Sequence, residues 1–205
     1  MMPIRSRFLL LLGFLLSACS QVPEIHYYVL ELPHQERTNA ADSSGWSIGV
    51  RRFVVSPPYD QDRLAYRVGD ASPEIDFYAY HRWAAPLGDM LEAATAAGLE
   101  STPGVREIEP RVSGRQYDAF LDGRLQHLEE IDLEGEQLIR LRLALRLTSA
   151  AGEELWSEVL EGEGSTQTDQ VVVIVETMRS VLESTLAEAR PTLARALRQA
   201  TAGPD

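Results

Sequence analysis

From Ile139 to Leu147 the chain alternates without a break: Ile139, Leu141, Leu143, Leu145 and Leu147 are separated by Arg140, Arg142, Ala144 and Arg146. A strict period of two cannot line one side of a helix, whose repeat is about 3.6 residues. It specifies a strand with one buried face and one wetter, basic face, and therefore a sheet with a second layer on its apolar side. Ala119 to Leu128 reads as a partner strand, joined through an acidic turn from Glu129 to Glu136. Ala151-Gly152 makes a tight turn into a third strand from Glu154 to Glu161. The three runs predict an antiparallel meander.

Shorter strand signals precede it. His26 to Leu30, Trp46 to Val55, Leu64 to Val68 and Ile75 to Tyr80 are rich in aromatic and β-branched residues and are bounded by Pro33, Pro57-Pro58 and Gly69 to Pro73. His34 to Gly45 is a loop by composition. Helical spacing begins at Trp83, with Pro86 suited to a first turn and Leu87, Met90, Leu91 and Ala94 as its apolar stripe. Gly98 and Pro103-Gly104 close that helix. Val105 to Val112 reads as a short strand that Pro110 makes an edge or an irregular one. A long helix follows the meander, capped by Asp169, with Val171, Ile174, Val175, Met178, Val181, Leu182, Leu186 and Ala189 on one face. Pro191 kinks or restarts it, and Leu193, Ala196 and Leu197 extend the stripe. The expected class is α/β: a single compact layered domain over 26–200, with a mixed, largely antiparallel sheet, one central helix and a long C-terminal helix. Residues 201–205 are expected to be a loose tail.

The N-terminus carries a different signal. Arg5 and Arg7 precede an apolar run from Phe8 to Leu16 that Gly13 alone interrupts, and Leu16-Ser17-Ala18-Cys19 follows. The run is too short to span a bilayer, which takes about 20 residues, but fits the roughly 7–15 of a signal peptide's apolar region. Small residues before a cysteine at that place resemble a bacterial lipobox. The resemblance implies that residues 1–18 are a lipoprotein signal peptide and that Cys19 becomes a diacylglyceryl cysteine with an amide-linked acyl chain such as palmitate. Residues 19–25 would then be a lipidated tether. Each buried methylene adds about 0.8 kcal/mol, so such an anchor is firm. Ser20 in place of an aspartate points, under the enterobacterial sorting rule, to the outer membrane.

Composition narrows the function further. Removing residues 1–18 takes away two arginines and no acid, which leaves 17 basic against 31 acidic side chains, a net charge of −14. An acidic chain with no basic run argues against nucleic acid and against electrostatic docking on anionic lipid. Cys19 is the single cysteine, so its acylation excludes disulfides, cysteine-ligated metals and a cysteine nucleophile.

Chemistry finds little support. Gly45-Trp46-Ser47-Ile48-Gly49 is a literal G-x-S-x-G, but a loop precedes it and a strand follows, the reverse of a nucleophile elbow. His26, His34, His81 and His127 show no metal-ligand spacing, and His127 before Glu129 and Glu130 reads as a solvated strand end. Gly162-Glu163-Gly164 is too sparse for a phosphate loop. No catalytic residue, metal or cofactor is expected. The arginine face of Arg140, Arg142 and Arg146 has two readings, an anionic or acidic partner and cross-strand pairing with acids such as Glu158 or Glu161; the second is favoured.

One cluster remains. Pro57-Pro58-Tyr59, Arg63, Tyr66-Arg67 and Phe77-Tyr78-Ala79-Tyr80-His81-Arg82-Trp83 concentrate aromatics and arginines, the residues enriched at interfaces. Some of them are expected to fill the core where strand meets helix. Together with Tyr27-Tyr28-Val29-Leu30 and the Ala84-Ala85-Pro86-Leu87 that enters the helix, this region resembles the ABC-type transport auxiliary lipoprotein family, which includes the lipoprotein of the paraquat-inducible system. Asp60-Gln61-Asp62 departs from the apolar residue that relatives tend to carry after the tyrosine. The resemblance implies a non-enzymatic, outer-membrane lipoprotein facing the periplasm. Its implied partners are an ABC ATPase, a permease and an MCE-domain protein that move lipids or other hydrophobic molecules, and some relatives assemble as rings. Tyr59, Arg63, Tyr66, Arg67, His81, Arg82 and Trp83 are the candidate partner-binding residues. The competing class is a lipid-anchored ligand-binding or envelope-assembly protein that works without a transporter.

Overall fold

A computed structural model describes residues 23–33, 45–112 and 114–202. The expected signal peptide, Cys19 and residues 34–44 of the expected polar loop lie outside the described residues. The strands are β1 (His26–Tyr28), β2 (Trp46–Val50), β3 (Val54–Val55), β4 (Arg63–Val68), β5 (Asp76–Trp83), β6 (Val105–Pro110), β7 (Ala119–Leu133), β8 (Glu136–Ser149) and β9 (Glu154–Thr166). Helix α1 (Leu87–Leu99) lies between β5 and β6, and α2 (Val171–Ala202) ends the described chain.

The long strand β7 is the seam of a nine-stranded mixed sheet. One of its edges pairs along its whole length with β8, from Ala119 opposite Ser149 to Leu133 opposite Glu136, and β9 continues that antiparallel meander. The other edge takes three parallel strands end to end: β2 beside Ala119–Leu121, β3 beside Arg124–Leu125 and β4 beside Glu130–Asp132. At the outer ends, β6 runs parallel to β2, β5 antiparallel to β4, and β1 parallel to β5. The edge position of β6, with Pro110 as its last residue, removes only a ladder donor that an outer strand can spare.

Packing follows the alternation. Ile139, Leu141, Leu143, Leu145 and Leu147 are all buried, together with Ile174, Leu182, Leu186 and Ala189 of α2. Full burial of each large aliphatic side chain contributes roughly 1.5–3 kcal/mol. Helix α2 packs on β8 and β9, and α1 packs on β6 and α2. Close approach depends on missing side chains: a Cβ on Gly98 would stand 2.6 Å from a Leu186 methyl, and one on Gly162 would overlap the Thr185 hydroxyl. The Thr192 hydroxyl accepts from Trp156 Nε1 at 3.3 Å and donates to Glu158 at 2.6 Å, which ties α2 to β9 beside Pro191.

Several boundaries differ from expectation. Trp83 closes β5 instead of opening a helix, and α1 starts after Pro86. The run Trp46 to Val55 is two strands, because the Phe53 amide leaves the ladder to donate to Glu92 and its ring covers Gly123. Glu129 to Glu136 is not a turn: β7 continues to Leu133, and the turn is Glu134-Gly135, with Gly135 at φ 83°. The α2 cap is Gln170 and not Asp169, since the Gln170 carbonyl accepts from Val173 and Ile174. Pro191 sits inside an uninterrupted α2, and Thr201 and Ala202 are helical instead of belonging to a loose tail.

Candidate partner-binding site

The aromatic and arginine cluster is assembled where β4 meets β7, and two adjacent acids divide it between the faces of the sheet. Glu129 points to the face without helices. A bulge between Leu125 and His127 moves His127 and Glu129 to that side. Glu129 is 2% exposed, and two groups from distant segments satisfy it. The Tyr59 hydroxyl donates to its Oε2 at 2.8 Å, and Arg67 Nη2 reaches the same oxygen at 3.1 Å. With the hydroxyl proton committed to the carboxylate, His127 Nδ1 at 3.1 Å is the donor to the Tyr59 oxygen. Burial and then Glu129 push the Tyr59 hydroxyl well above the usual phenol range. Burial works against the Arg67 charge, but Glu129 outweighs it and raises the guanidinium pKa.

Glu130 points to the helix face, is 3% exposed, and accepts from the Tyr78 hydroxyl at 2.8 Å. Burial raises its pKa, against the opposing pull of that hydrogen bond. The Tyr78 ring meets Tyr66 at a tilt, centroids 4.9 Å apart, and the Tyr66 hydroxyl donates to Asp76 at 3.2 Å. His81 meets Tyr78 edge-on at 5.3 Å, stacks on His26 at 5.2 Å, and its Nδ1 lies 2.8 Å from the Tyr28 hydroxyl. Burial and then the neighbouring His26 lower the His81 pKa.

Arg82 and Arg63 are opposite one another in the β4–β5 ladder. Arg82 pairs with Asp62 at 2.6 Å, and Arg63 bonds Gln61 at 3.1 Å and lies over the Phe77 ring at 5.2 Å. Gln61 and Asp62 of the polar Asp60-Gln61-Asp62 segment thus hold Arg63 and Arg82.

The seven candidate residues therefore do not form one exposed face. Tyr59 and Trp83 are each 5% exposed and belong to the core, which corrects their expected place on the surface. Arg63, Tyr66, Arg67, His81 and Arg82 are half-buried around them. The expectation that Glu129 and Glu130 close a solvated strand end is likewise overturned: both are buried, Glu129 under Tyr59 and Arg67 and Glu130 under Tyr78. Leu128-Glu129-Glu130-Ile131 sets two acids side by side and breaks the alternation, so no local pattern marks them as strand.

Beside Glu129 the helix-free face forms an open groove of about 720 Å³. Its walls are cross-strand ion pairs: Arg140 with Glu163 (3.0 Å) and Asp70 (2.9 Å), and Arg142 with Glu161. The pairing reading of the arginine strand holds for Glu161. Glu158 instead bonds Thr192, and Arg146 approaches Asp122 at 4.0 Å. Among the described residues no group of three or more His, Cys, Asp or Glu is placed to hold a metal, and no helix is long and apolar enough to cross a membrane. Ser47 lies in β2 with its hydroxyl on Glu107 at 2.7 Å, a strand position and not an elbow.

The ABC-type transport auxiliary lipoprotein component family matches residues 28–202, which span β1 through α2. The chain belongs to this family. The family is one of transport auxiliary lipoproteins and not a known enzyme family. A Xanthomonas campestris protein of family DUF330 is similar at 15% identity and a TM-score of 0.65, over 89% of this chain and 100% of that one. An uncharacterized protein is similar at 19% identity and a TM-score of 0.59, over 84% and 98%. A hypothetical protein from Chlamydia trachomatis shares the fold at 7% identity and a TM-score of 0.53, over 75% and 98%. No curated protein matches the chain significantly. At these identities the likeness is one of fold, and the family's layered α/β architecture is the one seen here.

Proposed function

We propose that this family member is an outer-membrane lipoprotein held by acylated Cys19, facing the periplasm, and that it docks or receives for an MCE-type ABC transport system. The system would move lipids or other hydrophobic molecules across the envelope. The family match from β1 to the end of α2, directly behind a lipobox, is the observation that carries this reading. A lipid anchor supports a docking role because tethering raises the effective concentration of the domain for a partner that spans the periplasm. Arg63, Tyr66, Arg67, His81 and Arg82 remain the proposed partner-binding residues, with Tyr59 and Trp83 holding their backbone in place. Self-association into a ring is part of the same reading.

Co-purification of the detergent-solubilised, full-length protein tests it. An MCE-domain protein, with its permease and ATPase, is the expected recovery. Absence of any such partner, together with unchanged lipid traffic in a deletion strain, would favour an anchored envelope protein that works alone.

A further inference from the structure

Of the nine large apolar side chains exposed among the described residues, four lie together at one sheet edge: Ile25 (40%), Tyr27 (64%), Val29 (52%) and Tyr80 (44%). The segment around β1 alternates. Ile25, Tyr27 and Val29 face out, while Tyr28, Leu30 and Leu32 turn inward. In the parallel pairing of β1 with β5, His26 lies beside His81 and Tyr27 beside Arg82, which brings Ile25 level with Tyr80 on the same face. Opposite residues of a parallel pair share a face, so the four form one patch on the side away from the helices. Asp62 already neutralises Arg82 next to Tyr27, and exposed Glu24 and Glu31 stand at the two ends.

The patch is also the part of the domain nearest the anchor. Ile25 is six positions past Cys19, and at most about 3.6 Å per position puts the two within roughly 22 Å. The polar headgroup layer is about 5–8 Å deep on each side of the bilayer core. A tether this short holds the first strand at an effective concentration on the order of millimolar to the membrane surface. Tyrosine is also a side chain enriched at that depth, with its ring in the apolar boundary and its hydroxyl among the headgroups.

We propose that the face formed by Ile25, Tyr27, Val29 and Tyr80 is seated in the headgroup region of the membrane that holds Cys19. The β1–β5 edge, and not the tether alone, then sets the orientation of the domain. This rests on the acylation of Cys19. Seated so, the groove beside Glu129 has a fixed bearing relative to the bilayer.

Site-directed spin labels test it in the mature, acylated protein, reconstituted in phosphatidylethanolamine–phosphatidylglycerol vesicles. Acylation blocks the one native thiol, so Tyr27→Cys and Tyr80→Cys give single labels, as do Val159→Cys and Val172→Cys at exposed apolar positions elsewhere. Circular dichroism and thermal unfolding confirm that each labelled chain is folded. Labels at 27 and 80 are expected to be several-fold more accessible to oxygen than to a water-soluble nickel chelate, relative to labels at 159 and 172. Equal aqueous exposure at all four overturns the proposal. So does aqueous exposure at 27 and 80 that ends only when transporter proteins are added, which would make the patch a protein interface. Mass spectrometry of the N-terminal peptide separates the two premises. An acylated Cys19 with aqueous labels defeats the membrane face alone, whereas an unacylated Cys19 defeats the anchor and this proposal with it.

Discussion

The buried Glu129 carboxylate is held by two groups, Tyr59 and Arg67. Removing one partner of a buried ion pair strands the other charge, at a cost of about 3–5 kcal/mol, whereas removing both is often close to neutral. With Arg67 17% and Glu129 2% exposed, Arg67→Met is expected to lower stability by that order, and Arg67→Met with Glu129→Leu to recover most of it, as read by urea unfolding. His81 gives a second expectation. Burial and then His26 lower its pKa in the folded state from the ordinary 6.5, so the unfolded chain binds the proton more tightly. Stability should therefore rise with pH through the window just below 6.5 and fall as the pH drops through it; His81→Gln should flatten that slope in unfolding midpoints measured across it. Of this site, the sequence shows which residues cluster but not which way they face. Tyr and Arg are equally at home in a core and at an interface, and the groups that satisfy Glu129 come from 62 and 70 positions away along the chain. No local pattern could have paired them.

Between elements, the contact of α2 with β9 is set by what β9 lacks. A Cβ on Gly162 would overlap the Thr185 hydroxyl and stand 2.9 Å from Val181. Both neighbours are β-branched and stiff at χ1, so neither can swing aside. Gly162→Ala is expected to cost about 1–3 kcal/mol, seen as a lower melting temperature without loss of secondary structure. Gly98→Ala is expected to be milder, since a helical alanine regains about 1 kcal/mol of propensity against the Leu186 contact. The meander and α2 are legible in the sequence because each imposes its own period over many residues. The parallel placement of β2, β3 and β4 along β7 is not, because these strands have two to six residues each and take their register from a partner more than 60 positions ahead. Trp83 illustrates the boundary problem: its burial fits a helix face and a strand face equally well.

For the molecule as a whole, the proposed anchor gives a test of its own: Cys19→Ala is expected to shift the protein from the membrane to the soluble fraction with an unchanged melting temperature, and retention in the membrane fraction would count against the lipid anchor. The first strand shows how that anchor would be joined to the domain. Strand β1 is held to β5 by three registered residues, whereas Leu30 and Leu32 behind it are plugged into the core. If the domain is gripped by a partner while the membrane recedes, the load falls first on those three pairs. Peeling β1 would lengthen the tether by four residues, about 14 Å, before Leu30 takes the strain. Under the proposed anchoring and docking, the strand would act as a mechanical fuse, letting the link between bilayer and partner stretch while the rest of the fold stays whole.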